Sequence, residues 1–140
     1  MDKEIRRQII LDNYQNSKNR KTINDSKYIK VNSRNMSCID NIDLYLYIED
    51  NIVKDIAFEG EACVIAISST SILTELLKNK TLSEALEILD NYEKMVEGLE
   101  YDEKKLGDLT VYDDVNKQPS RKICATLSMK KIKETIENSL

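Results

Sequence analysis

The chain has 140 residues, of which 41% are hydrophobic and 33% are charged, a composition that excludes a disordered or collagen-like chain and suits a single domain over residues 1–140. Its 21 basic and 25 acidic residues leave a net charge of −4, which argues against nucleic acid as a partner because phosphate binding depends on excess Lys and Arg. The first residues are charged, and no apolar run approaches the length of a membrane span, so we expect a cytoplasmic protein that binds no membrane.

The cysteine and histidine content narrows the chemistry further. Three cysteines are an odd number, so a complete intrachain disulfide framework is excluded, and a reducing compartment would leave thiols free for metal or sulfur chemistry. The chain contains no histidine at all. This excludes catalytic triads that use histidine and every zinc site that contains it.

The first half of the chain predicts one helix and a small sheet. Ile5, Ile9 and Ile10 have helical spacing, which favours an amphipathic helix over residues 2–15, and a polar loop follows over residues 16–27. Residues 41–49 alternate apolar and polar side chains, and a second β-type run covers residues 52–58 after the turn sequence Asp50-Asn51. These two runs predict a hairpin.

Three further features complete this half. A shorter run over residues 28–31 could add a third strand. Gly60 is expected to end the second hairpin strand before Cys63. Apolar residues between 65 and 77 are spaced by three and four, which favours a helix, although the serines from Ser68 to Ser71 make its start uncertain.

The second half predicts two more helices. Thr81 and Glu84 form a capping-box sequence that begins one helix, and Gly98 ends it. Charged residues between 97 and 114 are mostly acidic, so we expect an exposed acidic excursion there. Pro119 suits the first position of a basic C-terminal helix whose inward residues are Cys124, Leu127, Ile132 and Ile136.

Three segments together resemble the U-type family of iron-sulfur scaffold and sulfur-transfer proteins, which includes the NifU N-terminal domain, IscU and SufU. They are residues 35–40 (NMSCID), 58–63 (FEGEAC) and 121–127 (RKICATL), and residues 7–14 and 107–109 extend the resemblance over nearly the whole chain. The acidic excursion resembles the insertion of the SufU branch. Residues 115–123 contain neither the histidine nor the Leu-Pro-Pro-Val-Lys motif of IscU-like proteins, which also favours the SufU branch.

The resemblance implies an α+β fold, with an antiparallel sheet of about three strands packed on one face by the central and C-terminal helices. The loops carrying Cys38 and Cys63 are expected to meet the start of the last helix. The sequence departs from the family at Ile39, where the family has glycine, and a β-branched residue is strained if that position needs a positive φ.

The family motifs imply that Cys38, Asp40, Cys63 and Cys124 converge on one metal site. Soft thiolate donors select Zn²⁺ or a [2Fe-2S] cluster, and three cysteines with one aspartate supply four donors. Without the resemblance, the cysteines are better explained as small core residues and Asp40 as a turn residue.

Two residues are expected to have roles beyond binding metal. Cys38 lies in a predicted loop among small or polar residues, and we expect it to accept persulfide sulfur, although the sequence does not exclude the other cysteines. Arg121 lies three residues before Cys124, so on a helix it could balance the negative charge of a thiolate-rich site. The alternative is a solvated surface arginine.

Three functions fit these expectations. The first is a zinc-dependent sulfur relay that takes persulfide sulfur from a PLP-dependent cysteine desulfurase of the SufS or NifS type and passes it to downstream cluster-assembly proteins. If such a relay is an enzyme, its class is sulfurtransferase. The second is a scaffold that builds and transfers a [2Fe-2S] cluster from iron and sulfur. The third is a structural zinc protein in which Ile39 has abolished transfer.

Overall fold

The computed structural model describes residues 1–35 and 39–140. Within these residues, the main elements in chain order are α1 (Lys3–Gln15), β1 (Ile29–Arg34), β2 (Asn41–Glu49), β3 (Ile52–Glu61), α2 (Val64–Leu77), α3 (Leu82–Val96) and α4 (Pro119–Glu137). Short 3₁₀ helices between α3 and α4 cover Glu103–Lys105, Gly107–Tyr112 and Val115–Lys117. Among the described residues, no helix is both long and apolar enough to cross a membrane.

The sheet is antiparallel with strand order β1-β2-β3, as predicted from the alternating runs. Asp50 and Asn51 connect β2 to β3 with φ values of 55° and 59°, a left-handed conformation that these two residue types tolerate well. β1 reaches Arg34, so the strand predicted over residues 28–31 is confirmed but extends further along the chain.

One face of the sheet carries the hydrophobic core. Ile42, Leu44 and Leu46 alternate along β2 and are fully buried. They belong to one cluster with residues of α2 and α4, among them Leu73 and Ile132. The expected α+β arrangement, a three-stranded sheet covered on one face by helices, is therefore confirmed.

The α2 helix is central and unusually polar for a buried helix. Its buried hydroxyl groups find partners on both neighbouring helices: Ser71 donates to the side-chain oxygen of Asn13 in α1 (2.8 Å), and Thr70 lies 2.6 Å from the hydroxyl of Ser128 in α4. Since an unpaired buried hydroxyl is costly, these contacts fix the register of α1 and α4 against α2.

The prediction that Gly60 ends the second hairpin strand is wrong. β3 continues through Gly60 to Glu61, and Gly60 pairs with Ile42. Its φ of +150° is rarely adopted by residues with a side chain, and a Cβ at this position would lie 2.1 Å from the backbone oxygen of Asn41. The glycine therefore lets β3 run close along β2 up to the segment that carries Cys63.

The prediction that residues 97–114 form an exposed excursion is also wrong for the apolar part of the segment. Leu106, Leu109 and Tyr112 are buried in the core cluster, at the spacing of three that suits successive 3₁₀ turns. Acidic side chains of this region remain at the surface, where Asp113 pairs with Arg6 of α1 at 2.7 Å. The apolar residues of the segment thus pack against α1 and α2, while its acidic side chains lie at the surface.

Replacing Gly60 by alanine should destabilise the fold strongly. We expect Gly60→Ala to lower the free energy of unfolding by about 3 kcal/mol or more, because backbone strain adds to the clash with Asn41. Urea unfolding of chelator-treated protein measures the change. Gly107→Ala is the matched control: its φ is +51° and no atom lies within 4 Å of the added Cβ, so about 1 kcal/mol is expected. Equal losses in the two variants would contradict the close strand packing.

Candidate metal centre

Three separate elements bring donor atoms together at one end of the sheet. Asp40 directly precedes β2 and is fully buried. Cys63 follows β3 and is the N-cap residue of α2. Cys124 lies in the second turn of α4 and is partly buried. Residues that are far apart in the sequence thus meet because a strand end and two helices converge.

The three side chains form a compact cluster. The Cys124 Sγ lies 3.3 Å from Asp40 Oδ2, and the Cys63 Sγ lies 3.9 Å from the same oxygen. All three donor atoms lie within 4.8 Å of one another. A tetrahedral zinc site with ordinary Zn–S and Zn–O lengths has donor-to-donor edges of about 3.5–3.8 Å, and the two sulfur-to-oxygen distances lie close to this range.

The two oxygens of Asp40 have different partners. While Oδ2 faces the sulfurs, Oδ1 accepts a hydrogen bond from the backbone N–H of Cys63 at 2.8 Å. The backbone oxygen of Asp40 accepts from the N–H of Asn35 at 3.0 Å, which closes the connection between β1 and β2. Asp40 therefore links this connection to the start of α2.

Cys63 also organises the first turn of α2 through its sulfur. Its Sγ accepts a hydrogen bond from the N–H of Ala66 at 3.4 Å. The backbone of Cys63 is extended, with φ of −68° and ψ of 167°. Free N–H groups and the helix dipole favour negative charge at this position. The sulfur of Cys63 thus lies at the N-terminal end of α2.

The cluster disfavours negative charge on Cys124. Burial raises the pKa of its thiol, and hydrogen bonds with Cys63 and Asp40 raise it further. Two thiols and a carboxylate at these distances cannot all carry charge without repulsion, whereas a divalent cation between them would compensate it. The donor set and its geometry therefore both fit a thiophilic ion such as Zn²⁺.

The structure accounts for some of the predicted site residues and not for others. It brings Asp40, Cys63 and Cys124 together, but Cys38 lies outside the described residues, so its convergence stays a prediction. Arg121 is exposed and forms no hydrogen bond or ion pair with any described residue; it lines a surface groove together with Arg6 and Arg7. Its predicted role beside the metal is not visible in these contacts and also stays a prediction.

Two features of the site were missed by the sequence patterns. Cysteine is not among the preferred N-cap residues, so no capping rule singled out Cys63 as the start of α2. Nor did any pattern assign the two oxygens of Asp40 to different partners. Ile39, the residue that departs from the family glycine, is 75% exposed, so most of its side chain lies in solvent.

The sequence matches a known protein family over almost its whole length. The family described as the NifU-like N-terminal domain matches residues 5–138. Among curated proteins, the zinc-dependent sulfurtransferase SufU of Bacillus subtilis is 39% identical over 131 residues, which are 93% of this chain and 88% of that protein. The iron-sulfur cluster assembly scaffold protein IscU of Thermotoga maritima is 38% identical over 128 residues, 91% of this chain and 89% of that protein.

A solved structure is similar as well. A crystal structure described as an iron-sulfur cluster assembly scaffold protein for the SUF system, from Fervidobacterium islandicum, superposes with a TM-score of 0.76 at 33% identity. The superposition covers 87% of this chain and 89% of that one. Sequence and fold thus point to the same group of proteins.

Asp40 should stabilise the fold even without metal. We expect Asp40→Ala to lower the free energy of unfolding of the chelator-treated, reduced protein by about 1–3 kcal/mol, because the N–H of Cys63 loses its acceptor. Asp40→Asn keeps an acceptor oxygen and should lose clearly less. Urea unfolding of the three proteins tests this, and identical stabilities for the two variants would show that the hydrogen bond to Cys63 contributes nothing.

Proposed function

We propose that this chain, which belongs to the NifU-like N-terminal domain family, works in iron-sulfur cluster assembly as a zinc-dependent acceptor and relay of persulfide sulfur. The observation that carries the proposal is the cluster of Asp40, Cys63 and Cys124, whose donor atoms lie within 4.8 Å of one another. Isolated core cysteines have no reason to share one buried carboxylate. Donors of this type, in this geometry, suit a bound soft metal.

The kind of relative supports zinc rather than another ion. The Bacillus subtilis protein, which is 39% identical to this chain over 131 residues, is named a zinc-dependent sulfurtransferase. In this chain, Cys63, Cys124 and Asp40 would hold the ion, with Cys38 as the fourth donor. Cys38 is two residues from Asp40 in the sequence, so its Cα lies at most about 7 Å from that of Asp40, within reach of the same centre. Bound zinc would supply a positive charge that keeps the coordinated thiols deprotonated at neutral pH.

Each of the candidate site residues has a distinct role in the proposed transfer. Asp40 holds the start of α2 and faces both described sulfurs. Cys63 and Cys124 lie on helices packed into the core, which suits permanent donors. Cys38 is the proposed acceptor of sulfur, since its predicted loop allows a partner to approach. Arg121 is proposed to attract the negatively charged sulfur that arrives, as a cation one helical turn before Cys124.

The transfer itself balances without an external oxidant or reductant. The Cys38 thiolate attacks the outer, sulfane sulfur of a persulfide on the donor protein, and a new S–S bond forms as the donor's own S–S bond breaks. The donor cysteine leaves as a thiolate, and the terminal sulfur moves with its proton to Cys38. We propose a PLP-dependent cysteine desulfurase of the SufS or NifS type as donor, downstream cluster-assembly proteins as acceptors, and the cytoplasm as the compartment.

A second candidate function is a scaffold on which a [2Fe-2S] cluster is assembled and transferred. The observation that favours it is the 38% identity with the Thermotoga maritima protein, which is named a scaffold and matches 91% of this chain. Thiolates with one carboxylate can also hold such a cluster. In that case the cluster is cargo, and the same donors would release it to a recipient protein.

Metal content and desulfurase stimulation, measured on one sample, test the proposal. We expect a colourless protein with about one zinc ion per chain. It should accelerate the conversion of cysteine to alanine by a SufS-type desulfurase by roughly tenfold or more. Mass spectrometry should show the gain of one sulfur atom on Cys38. Cys38→Ser should remove both the acceleration and the mass gain, since serine cannot form a persulfide.

The matched control is Ser37→Ala, which changes the neighbouring residue without removing sulfur and should behave as the unmodified chain. A brown protein with charge-transfer absorption after anaerobic expression would instead support the scaffold function. A zinc-bound, folded protein that neither accelerates the desulfurase nor gains sulfur would contradict the relay and leave a structural zinc protein.

A further inference from the structure

A shallow groove runs between β1 and α4, beside the donor cluster. Its volume is about 290 Å³, and residues that line it include Arg34, Ile123, Thr126, Leu127, Lys130 and Lys131. Ser33 of β1 donates a hydrogen bond to the backbone oxygen of Leu127 at 2.6 Å, which ties the two walls together. The groove is therefore part of the packed structure and does not depend on the position of one flexible side chain.

The groove has a positive charge that its surroundings do not neutralise. Arg34 and Lys130 are exposed and form no hydrogen bond or ion pair with described residues. Lys131 has only a loose pair with Glu134, 3.8 Å apart and exposed to solvent, a type of pair that contributes little. The described residues of the lining include three cationic side chains and no carboxylate, although the whole chain has a net charge of −4.

Two exposed apolar residues adjoin the donors of the candidate metal centre in the sequence, and one of them lines the groove. Ile123 lines the groove, is 50% exposed, and directly precedes the donor Cys124. Ile39 is 75% exposed and directly precedes the donor Asp40. These two side chains offer apolar surface beside the donors that a docked partner would bury.

We propose that this basic groove, together with the exposed Ile123 in its lining and Ile39 beside Asp40, docks an acidic segment of the protein that delivers sulfur. The inference rests on the proposed function, and it adds the chemistry of the contact: carboxylates of the donor protein pair with Arg34, Lys130 and Lys131, while apolar side chains cover the two isoleucines. Docked there, the donor's persulfide is held beside the metal centre.

The charge pattern favours a protein as the occupant. A groove with three cations on an acidic chain gives too little positive potential for a nucleic acid, whose phosphates need a larger basic surface. Unpaired charges at the rim of an interface mainly accelerate association and fix orientation, and their effect falls as salt is added. Changes to the charges of the groove are therefore expected to alter the concentration of this protein that stimulates the donor enzyme, and to leave the rate of the chemical step unchanged.

Charge reversal in the groove tests the inference with a SufS-type desulfurase as the probe. In Lys130→Glu with Lys131→Glu, the protein concentration that gives half-maximal stimulation should rise about tenfold or more, while the maximal rate and zinc content stay unchanged. The control is Lys27→Glu with Lys54→Glu, two exposed lysines outside the groove whose side chains form no ion pair in the described chain. Because its change in net charge is identical, it should behave as the unmodified protein.

Salt dependence gives a second readout. Raising the ionic strength should weaken stimulation by the unmodified and control proteins, and should have much less effect on the groove variant, which has already lost the attractive charges. Circular dichroism and the melting temperature of each variant establish that it is folded.

The outcomes separate this inference from the proposed function. If the unmodified protein stimulates the desulfurase and the groove variant matches the control, the docking surface is wrong and the relay stands. If the groove variant loses zinc, or if its loss follows the dissociation of a homodimer, the groove serves the metal site or a second copy instead, and the inference is overturned. If the unmodified protein gives no stimulation, the relay and the docking surface both fall.

Discussion

The buried carboxylate of Asp40 is the interaction on which the site depends. One oxygen accepts a hydrogen bond from the N–H of Cys63, and the other faces the sulfurs of Cys63 and Cys124. A buried carboxylate is costly unless its oxygens have partners, and here the partners come from two different helices. The same group therefore links the strand to both helices and, in the proposed metal centre, is also a donor to the cation. These contacts on both oxygens explain why Asp40, a loop residue, is fully buried.

The rest of the fold fixes the elements that meet at Asp40. Hydroxyl contacts along α2 set its register against α1 and α4, so the positions of Cys63 and Cys124 are coupled through the packed helices. Gly60 brings β3 along β2 up to the start of α2. The packed fold therefore holds Asp40, Cys63 and Cys124 with their donor atoms within 4.8 Å of one another.

Local sequence patterns predicted most helices and strands correctly, but they did not predict how these elements meet. Alternation over residues 41–49 predicted the hairpin, and the Thr81–Glu84 capping box begins α3 as expected. The strand through Gly60 and the buried 3₁₀ turns were mispredicted, because a close backbone approach and tertiary burial leave no local signal. The donor set came from the family resemblance, since spacing alone could not bring Cys63 and Cys124 to one carboxylate. The basic groove likewise joins Arg34 to lysines nearly a hundred residues away in the chain.

X-ray absorption at the zinc edge, on the protein as purified, tests the central claim most directly. We expect zinc with three sulfur neighbours at about 2.3 Å and one oxygen neighbour at about 2.0 Å. Cys124→Ser should replace one sulfur neighbour by a lighter atom or release the ion. Zinc surrounded only by oxygen and nitrogen, or a spectrum unchanged by Cys124→Ser, would contradict a centre built on Asp40, Cys63 and Cys124.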